Sequence, residues 1–487
     1  MLDAFLSLTL ELRAVWALQQ LRQEATYGSI AYEYEKRSYP LAMADLVGVE
    51  ATRLGDPEAA AALDFLQQLD PQANETLGID LHSGFTLKGQ IRKYFHFGDR
   101  LDPTYRLRMR QAMEIFTRTD PLERTANPPR KFWERSNDDC DTPVDCRNTD
   151  NLRAMRETSV YLMAEEANNE ATRLIYKARL QRYVSTLLDI GMGEWDSPVY
   201  HGHTTAAYLN LYDFAQDPEV KQLAKDALDW LFHTAALKYW QGTWTGPTKR
   251  IYGSEAEAFF WLYFGRGSLP APNRNWIYAL TSTYRPPAEV IAIAHRQFAK
   301  PVEIRRTHPH YENWKPELYG PAFYETLYFG RTFQLGSLVK GTGGDWSGFS
   351  LYWQTPTGLD SLITEGGGRH AIAQFKNFLI WQGESAPRLN YPETAIQRDG
   401  GVTFVVGAQT WLAIMPFDTG FALEVGETAT HGNFETFKSA VLAQAGLGFT
   451  GTAWRYRSSR GDTLQLQKRS DALPLIWRNG SLVNFEN

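Results

Sequence analysis

Three stretches of the chain gather polar side chains that hydrophobic periodicity does not explain. Arg147, Asn148, Thr149, Asp150 and Asn151 stand directly ahead of a strongly helical run. Asn or Asp at such a place commonly caps a helix, yet two Asn and one Asp in four positions exceed what one cap needs. The second stretch, Gly193 to His203, reads GEWDSPVYHGH and is the densest. Glu194 and Asp196 bring carboxylates, Trp195 a flat ring, Tyr200 a phenol, and His201 and His203 imidazoles. Within it, Ser197-Pro198 reads as an N-cap followed by the first helical residue. The third, Gly242 to Gly253, sets Trp244, Lys249, Arg250 and Tyr252 in a loop rich in Gly and Thr. A solvated charge pair is the ordinary reading of Lys249 and Arg250. His308, His310, Tyr311, Arg331 and His370 are scattered candidates further on.

Asn, Tyr, His and Arg together suit one chemistry well. Cleaving a uronic-acid polymer by β-elimination requires neutralising a carboxylate, removing the proton on C5 and protonating the departing O4. An amide, a guanidinium or an imidazolium serves the carboxylate; a phenol or imidazole moves the protons. Asn151, Tyr200 with His201 or His203, and Arg250 with Tyr252 supply those types. Hydrolysis would need two carboxyl groups across the glycosidic bond, for which Glu194 and Asp196 qualify, with Glu165, Asp150 or Glu255 as second member. A metal site is not expected, because the two His carry no Glu-x-x-His or Cys partner at helical spacing. No Gly-x-Ser-x-Gly elbow and no Walker loop is present, and no Gly-x-Gly-x-x-Gly opens a helix after a strand, so no cofactor is expected.

The elements that must position these residues differ between the two halves. LAMADLVGVEATRL, DPEAAAALDFLQQL, YRLRMRQAMEIFTR, NLRAMRETSVYLMAEEA, ATRLIYKARLQRYVSTLLDIG, TTAAYLNLYDFA and DPEVKQLAKDALDWLFHTAALKYW place apolar residues at helical spacing. Asp56-Pro57 and Asp217-Pro218 begin helices, and Gly191 ends one. After a Pro- and Gly-rich passage near 265–290 the period becomes two, with GTGG, EGGG, RDGG and SRGD as turns. The expected fold is an α+β multidomain chain. An α/α toroid (an incomplete helical barrel) spans 1–285 and an antiparallel β-sandwich spans 286–487.

The 487 residues are 43% hydrophobic with a net charge of −6, so a packed core is expected and phosphate-driven nucleic-acid binding is not. No run approaches 18 apolar residues, so no membrane span is expected. The first 25 residues read as an amphipathic helix rather than a signal peptide. A secreted or periplasmic location follows if a leader was removed, a cytoplasmic one otherwise. Cys140 and Cys146 form a disulfide in an oxidising compartment or remain two thiols. Aromatic residues reach 13%. Most sit in core-like runs, while Trp195, Tyr200, Trp240, Trp244, Tyr252 and Trp314 flank the polar loops, where sugar rings would stack.

The order of the halves and three segments resemble the α/α-toroid polysaccharide lyases, the alginate-lyase and heparinase II/III-like group. DNLRAMRETSVYLMAEE is similar to that group's Glu-Asn-His segment with its Met and Tyr-Leu helix. EWDSPVYHGHTTAAYLNLYDFAQDPEV is similar to a Trp-Asp/Glu-Ser-x-x-Tyr core of uncharacterised relatives. TLYFGRTFQLGSL resembles a strand pair near the start of their β domain. The resemblance implies an acidic polysaccharide or oligosaccharide as substrate, and no nucleic-acid or membrane partner. It implies Asn151 as the amide that neutralises the carboxylate and Tyr200 as the catalytic tyrosine. Arg250 and Tyr252 complete the expected catalytic set; Glu194, Trp195, Asp196, Trp240, Trp244, Lys249 and Trp314 the substrate-binding one. The group's His after the Asn falls on Leu152, which moves no proton, and Asp150 stands where the group has Glu. Then His201 or His203 replaces that His, Tyr200 serves as both base and acid, or the site is no longer a lyase. A glycoside hydrolase and a non-catalytic glycan-binding protein are the competing readings.

Overall fold

The computed structural model describes residues 9–23, 38–50, 57–70, 77–79, 84–118, 149–250, 253, 255–309, 320–340, 348–365, 369–391, 395–470 and 472–485. The chain divides into two compact units. One comprises 1–244, 252–296 and 311–319; the other comprises 245–251, 297–310 and 320–487. The first is helical and the second is built of antiparallel sheets. No helix among the described residues is long and apolar enough to cross a membrane.

In the helical unit the Asp150–Glu166 helix lies at the centre. The helices Gly84–Phe97, Pro103–Arg118, Glu170–Asp189 and His201–Phe214 all pack on it. It is buried from Asp150 to Ala164 apart from Leu152, although its sequence is polar. Buried charge must then be paired. Arg153 meets Glu157 at 2.9 Å, and Arg179 reaches the same carboxylate at 2.8 Å. The helix ends follow the sequence signals: Asp217 accepts from the Glu219 N–H at 2.9 Å ahead of Pro218, and Gly191 closes its helix at φ 88°. The Leu10–Gln23 helix carries the amphipathic run expected near the start.

Ser197 and Pro198 behave differently from the expected cap. The next helix starts at His201, and the Ser197 hydroxyl accepts from the Val199 and Tyr200 N–H groups inside a turn. The Gly84–Phe97 helix went unanticipated, because its apolar positions are interrupted by Lys88, Gln90, Arg92 and Lys93. All four are buried.

Among the described residues the β unit contains three sheets. In the first, β3 (Val302–Pro309), β4 (Pro321–Phe329), β5 (Phe333–Lys340), β6 (Phe349–Thr355), β7 (Gly358–Glu365) and β10 (Arg388–Asn390) run in the order 10-7-6-5-4-3. In the second, β8 (Ala371–Phe375), β9 (Phe378–Gln382), β11 (Ile396–Asp399), β12 (Val402–Val406), β13 (Thr410–Phe417) and β14 (Gly420–Glu427) run 11-12-13-14-9-8. Strands β15 (Gly446–Phe449), β16 (Trp454–Arg457), β17 (Thr463–Gln467), β18 (Leu475–Arg478) and β19 (Ser481–Leu482) form a meander. Two further short strands, β1 (Tyr239–Trp240) and β2 (Thr243–Trp244), pair within the helical unit.

One apolar cluster draws on all three large sheets, including Leu351, Trp381, Phe404, Leu423 and Leu464. The RDGG signal makes a two-residue hairpin: Asp399 pairs with Val402, and Gly400 and Gly401 both take positive φ. A helix the alternating pattern hid, Phe434–Gln444, seats Phe437 and Val441 against the β unit, with the Asn433 side chain capping it.

Candidate functional site

The dense Gly193–His203 stretch is a buried loop fixed to its neighbours at both ends. Asp150 accepts from the Glu194 N–H at 2.8 Å and from the Tyr183 hydroxyl at 3.0 Å. In return, Glu194 accepts from the Asn151 N–H at 3.2 Å. At the far end the Pro198 carbonyl accepts from Glu255 and Ala256 N–H groups at 2.8 and 2.7 Å. Asp196 takes φ 50°, its carbonyl receives the Trp244 indole N–H at 2.9 Å, and its carboxylate lies 3.5 Å from the buried Lys238 ammonium. The polar residues ahead of the central helix therefore hold a loop, which is why they exceed the needs of one cap. Asn151 is only 1% exposed, and its side-chain oxygen accepts from the Thr149 hydroxyl. That burial leaves the expected contact between Asn151 and a substrate carboxylate closed in this structure.

The two imidazoles separate clearly. His201 is sealed in the core: Nε2 lies 2.9 Å from the Leu231 carbonyl, and its ring packs against Trp244 and Phe260. A ring N–H must therefore point at that carbonyl, since a carbonyl only accepts. His203, one face further round the same helix, is 6% exposed and sits beside Phe85 and Tyr200, with ring centroids 4.9 and 6.5 Å away. Its Nδ1 lies 3.3 Å from the Asn275 side-chain nitrogen.

Lys88 fixes which way that amide faces. The Lys88 ammonium, wholly buried, lies 3.0 Å from the Asn275 oxygen, and an ammonium has only donors. The Asn275 oxygen must face Lys88 and its NH2 must face His203. Nδ1 of His203 is then the acceptor, so the neutral ring carries its proton on Nε2, which lies 3.8 Å from the Glu255 carboxylate. Lys88 also donates to the Tyr278 hydroxyl at 3.2 Å. Burial pushes that phenol well above its ordinary range, so it stays neutral beside the ammonium. Asn273 completes the frame: its side chain accepts from the Asn275 N–H and donates to the Glu255 carbonyl.

The remaining expected residues scatter. Trp195, Trp240 and Trp244 are buried packing residues and offer no open ring face, Trp195 being 0% exposed; Tyr200 is half-buried. Lys249 and Arg250 belong to the β unit, where the Lys249 ammonium lies 5.9 Å over the Phe323 ring and Arg250 takes φ 58°. His308 lies 3.1 Å from Glu325, and His370 stacks on Trp381. The Arg331 N–H donates to Glu427 at 2.8 Å. Cys140, Cys146, Arg147, Asn148, Tyr252, His310, Tyr311 and Trp314 lie outside the described residues.

Of the carboxylates named for hydrolysis, Asp150, Glu194 and Asp196 are buried and engaged as described. Glu165 accepts from the Gln216 and Asp217 N–H groups and from the Tyr161 hydroxyl. Glu255 alone of the five has a mostly open side chain, 53% exposed. Lys88 and Asn275 were missed because a single lysine in an apolar-polar mixture and an Asn in a Pro-rich passage carry no spacing signal. No protein-family model and no curated protein matches this chain.

Proposed function

We propose that the protein is a polysaccharide-lyase-like enzyme that cleaves a uronic-acid-containing polysaccharide by β-elimination, with Tyr200 as both base and acid. In this reading the helical unit is an incomplete α/α toroid and the β unit a sandwich. The observation that carries it is the Lys88–Asn275–His203 chain. It sets the His203 proton on Nε2, 3.8 Å from the Glu255 carboxylate and beside the half-buried Tyr200 ring. With the Nδ1 lone pair committed to Asn275, His203 is a hydrogen-bond donor rather than the proton acceptor that Leu152 cannot be.

The step then balances on one phenol. The Tyr200 oxygen, as phenolate, takes the C5 proton. The C5–H electron pair becomes the C4=C5 double bond, and the C4–O4 pair leaves with O4. The phenol returns its proton to O4. His203 Nε2–H donates to the substrate carboxylate, where negative charge grows as C5 loses its proton. Hydrolysis finds less support, since four of its five named carboxylates already hold backbone or lysine partners and it needs two across the bond.

The test is an ultraviolet screen for unsaturated product on alginate, glucuronan, hyaluronan, chondroitin and heparin. Tyr200→Phe is expected to lose about 10²–10⁴-fold in rate on the responsive polymer while retaining binding. Full activity in that variant contradicts the assignment.

A further inference from the structure

The β unit holds a cavity of about 520 Å³ that the proposed reaction does not use. Residues 305–307 of β3, the edge strand of the first sheet, and 324–326 of β4 line it. The β3–β4 register sets Arg305 opposite Thr326 and Thr307 opposite Tyr324, and directly paired residues share a face. Arg478 on β18 and Phe485 close the other side.

Three guanidinium groups line it, in different states, and Arg306 is paired with the Glu325 carboxylate at 2.6 Å. Arg478 is tied down: it donates to Glu303 at 2.6 Å, to the Gln374 carbonyl at 2.6 Å and to the Thr326 hydroxyl at 3.3 Å. Arg305 is exposed and has no hydrogen-bond or ion-pair partner among the described residues. The Tyr324 and Phe485 rings lie 4.8 Å apart at 54°, both only partly buried, so apolar ring surface stands next to that unengaged cation. A forked cation, a hydroxyl and aromatic surface in a cavity of ordinary ligand size match a sugar that carries a carboxylate. The carboxylate would meet Arg305, and the sugar's apolar face would meet the two rings.

We infer that this cavity is a non-catalytic binding site for one or two uronate residues of an acidic polysaccharide. The substrate class rests on the function proposed above; the site itself rests on the cavity and Arg305.

The test is calorimetric titration of the full chain carrying Tyr200→Phe, so that nothing is turned over, with tetrasaccharides of glucuronan and alginate. Two binding events are expected with one of them. Adding Arg305→Ala is expected to weaken one event at least tenfold and leave the other and the melting temperature unchanged. Phe485→Ala is expected to weaken the same event. An uncharged tetrasaccharide is expected to give neither. The inference is overturned if Arg305→Ala leaves all binding intact, if no binding occurs, or if the uncharged sugar or inorganic phosphate binds the Arg305-dependent site equally well. Failure of the lyase reading looks different: no unsaturated product from the unmutated chain, with the Arg305-dependent event still present.

Discussion

The decisive residue in the helical unit is one that carries no chemistry itself. Lys88 can only donate, and this orients Asn275, which in turn sets the proton of His203 on Nε2. Imidazole tautomers are commonly fixed by the partner of the opposite nitrogen, and here the consequence is measurable. Imidazole ¹⁵N spectra should show the Nε2–H form of His203 at neutral pH. Asn275→Asp places a carboxylate at Nδ1 and should raise the His203 pKa by about one to two units relative to the unmutated chain. An unchanged titration would show that Asn275 does not control the ring. The sequence brought His201 and His203 forward as equals, because spacing reports only that both lie near Tyr200. A difference of two positions on a helix turns one toward Leu231 and the core, and the other toward Asn275 and Glu255.

Asp70 is a second residue whose importance no spacing foretells. It accepts from Tyr39, Gln90 and Lys93 through one oxygen, and from Tyr105 and Arg108 through the other. Asp70→Asn removes the charge that pairs with the wholly buried Lys93 and should cost about 3–5 kcal/mol, read by chemical denaturation. A loss below about 1 kcal/mol would mean that Lys93 is accommodated without it.

At the scale of elements, what the sequence made legible is what depends on one face. The helices Glu170–Asp189 and Pro218–Lys238 bury the face that their apolar spacing marks, whereas β13 and β14, buried on both faces, show as continuous apolar runs. The Gly84–Phe97 helix escaped notice because it is buried on sides that carry Lys88, Arg92 and Lys93, and their partners are far away in sequence: Asn275, Asp213 and Asp70. Periodicity describes an element against an average core, and a core containing ion pairs breaks that average. The Phe434–Gln444 helix escaped notice because it buries only Phe437 and Val441, too few apolar positions to set a period.

Its packing gives two element-scale predictions. A Cβ on Gly426 of β14 would stand 2.5 Å from the Phe437 ring, so Gly426→Ala should destabilise by about 1–3 kcal/mol through overpacking. Asn433→Ala should cost about 1 kcal/mol, because its side chain accepts from the Thr436 N–H at the helix start. Denaturant midpoints check both; a stabilised Gly426→Ala chain would contradict the close approach.

For the whole molecule, pH reads out the buried charges. Burial alone would raise the Asp70 carboxyl, but the Lys93 charge and the hydrogen bonds from Lys93, Tyr105 and Gln90 outweigh it and hold it below its ordinary value of 3.8. The unfolded chain therefore binds this proton at a higher pH than the folded one. The stability it contributes is complete above the unfolded value and is lost as pH falls through the lower folded value. The gap in melting temperature between the unmutated chain and Asp70→Asn should be widest near neutrality and shrink below about pH 4. The chain as a whole carries −6, so under the proposed function an acidic polymer would gain nothing from the overall field and would depend on local groups such as His203 Nε2–H and Arg305.

The central claim concerns how a glycosidic bond would be broken, and the mass of the product answers it most directly. Mass spectrometry of oligosaccharides released from a responsive uronate polymer should show fragments one water lighter than saturated ones, absorbing in the ultraviolet, and none from Tyr200→Phe. Saturated fragments carrying the added water, or unsaturated fragments released undiminished by Tyr200→Phe, would contradict it.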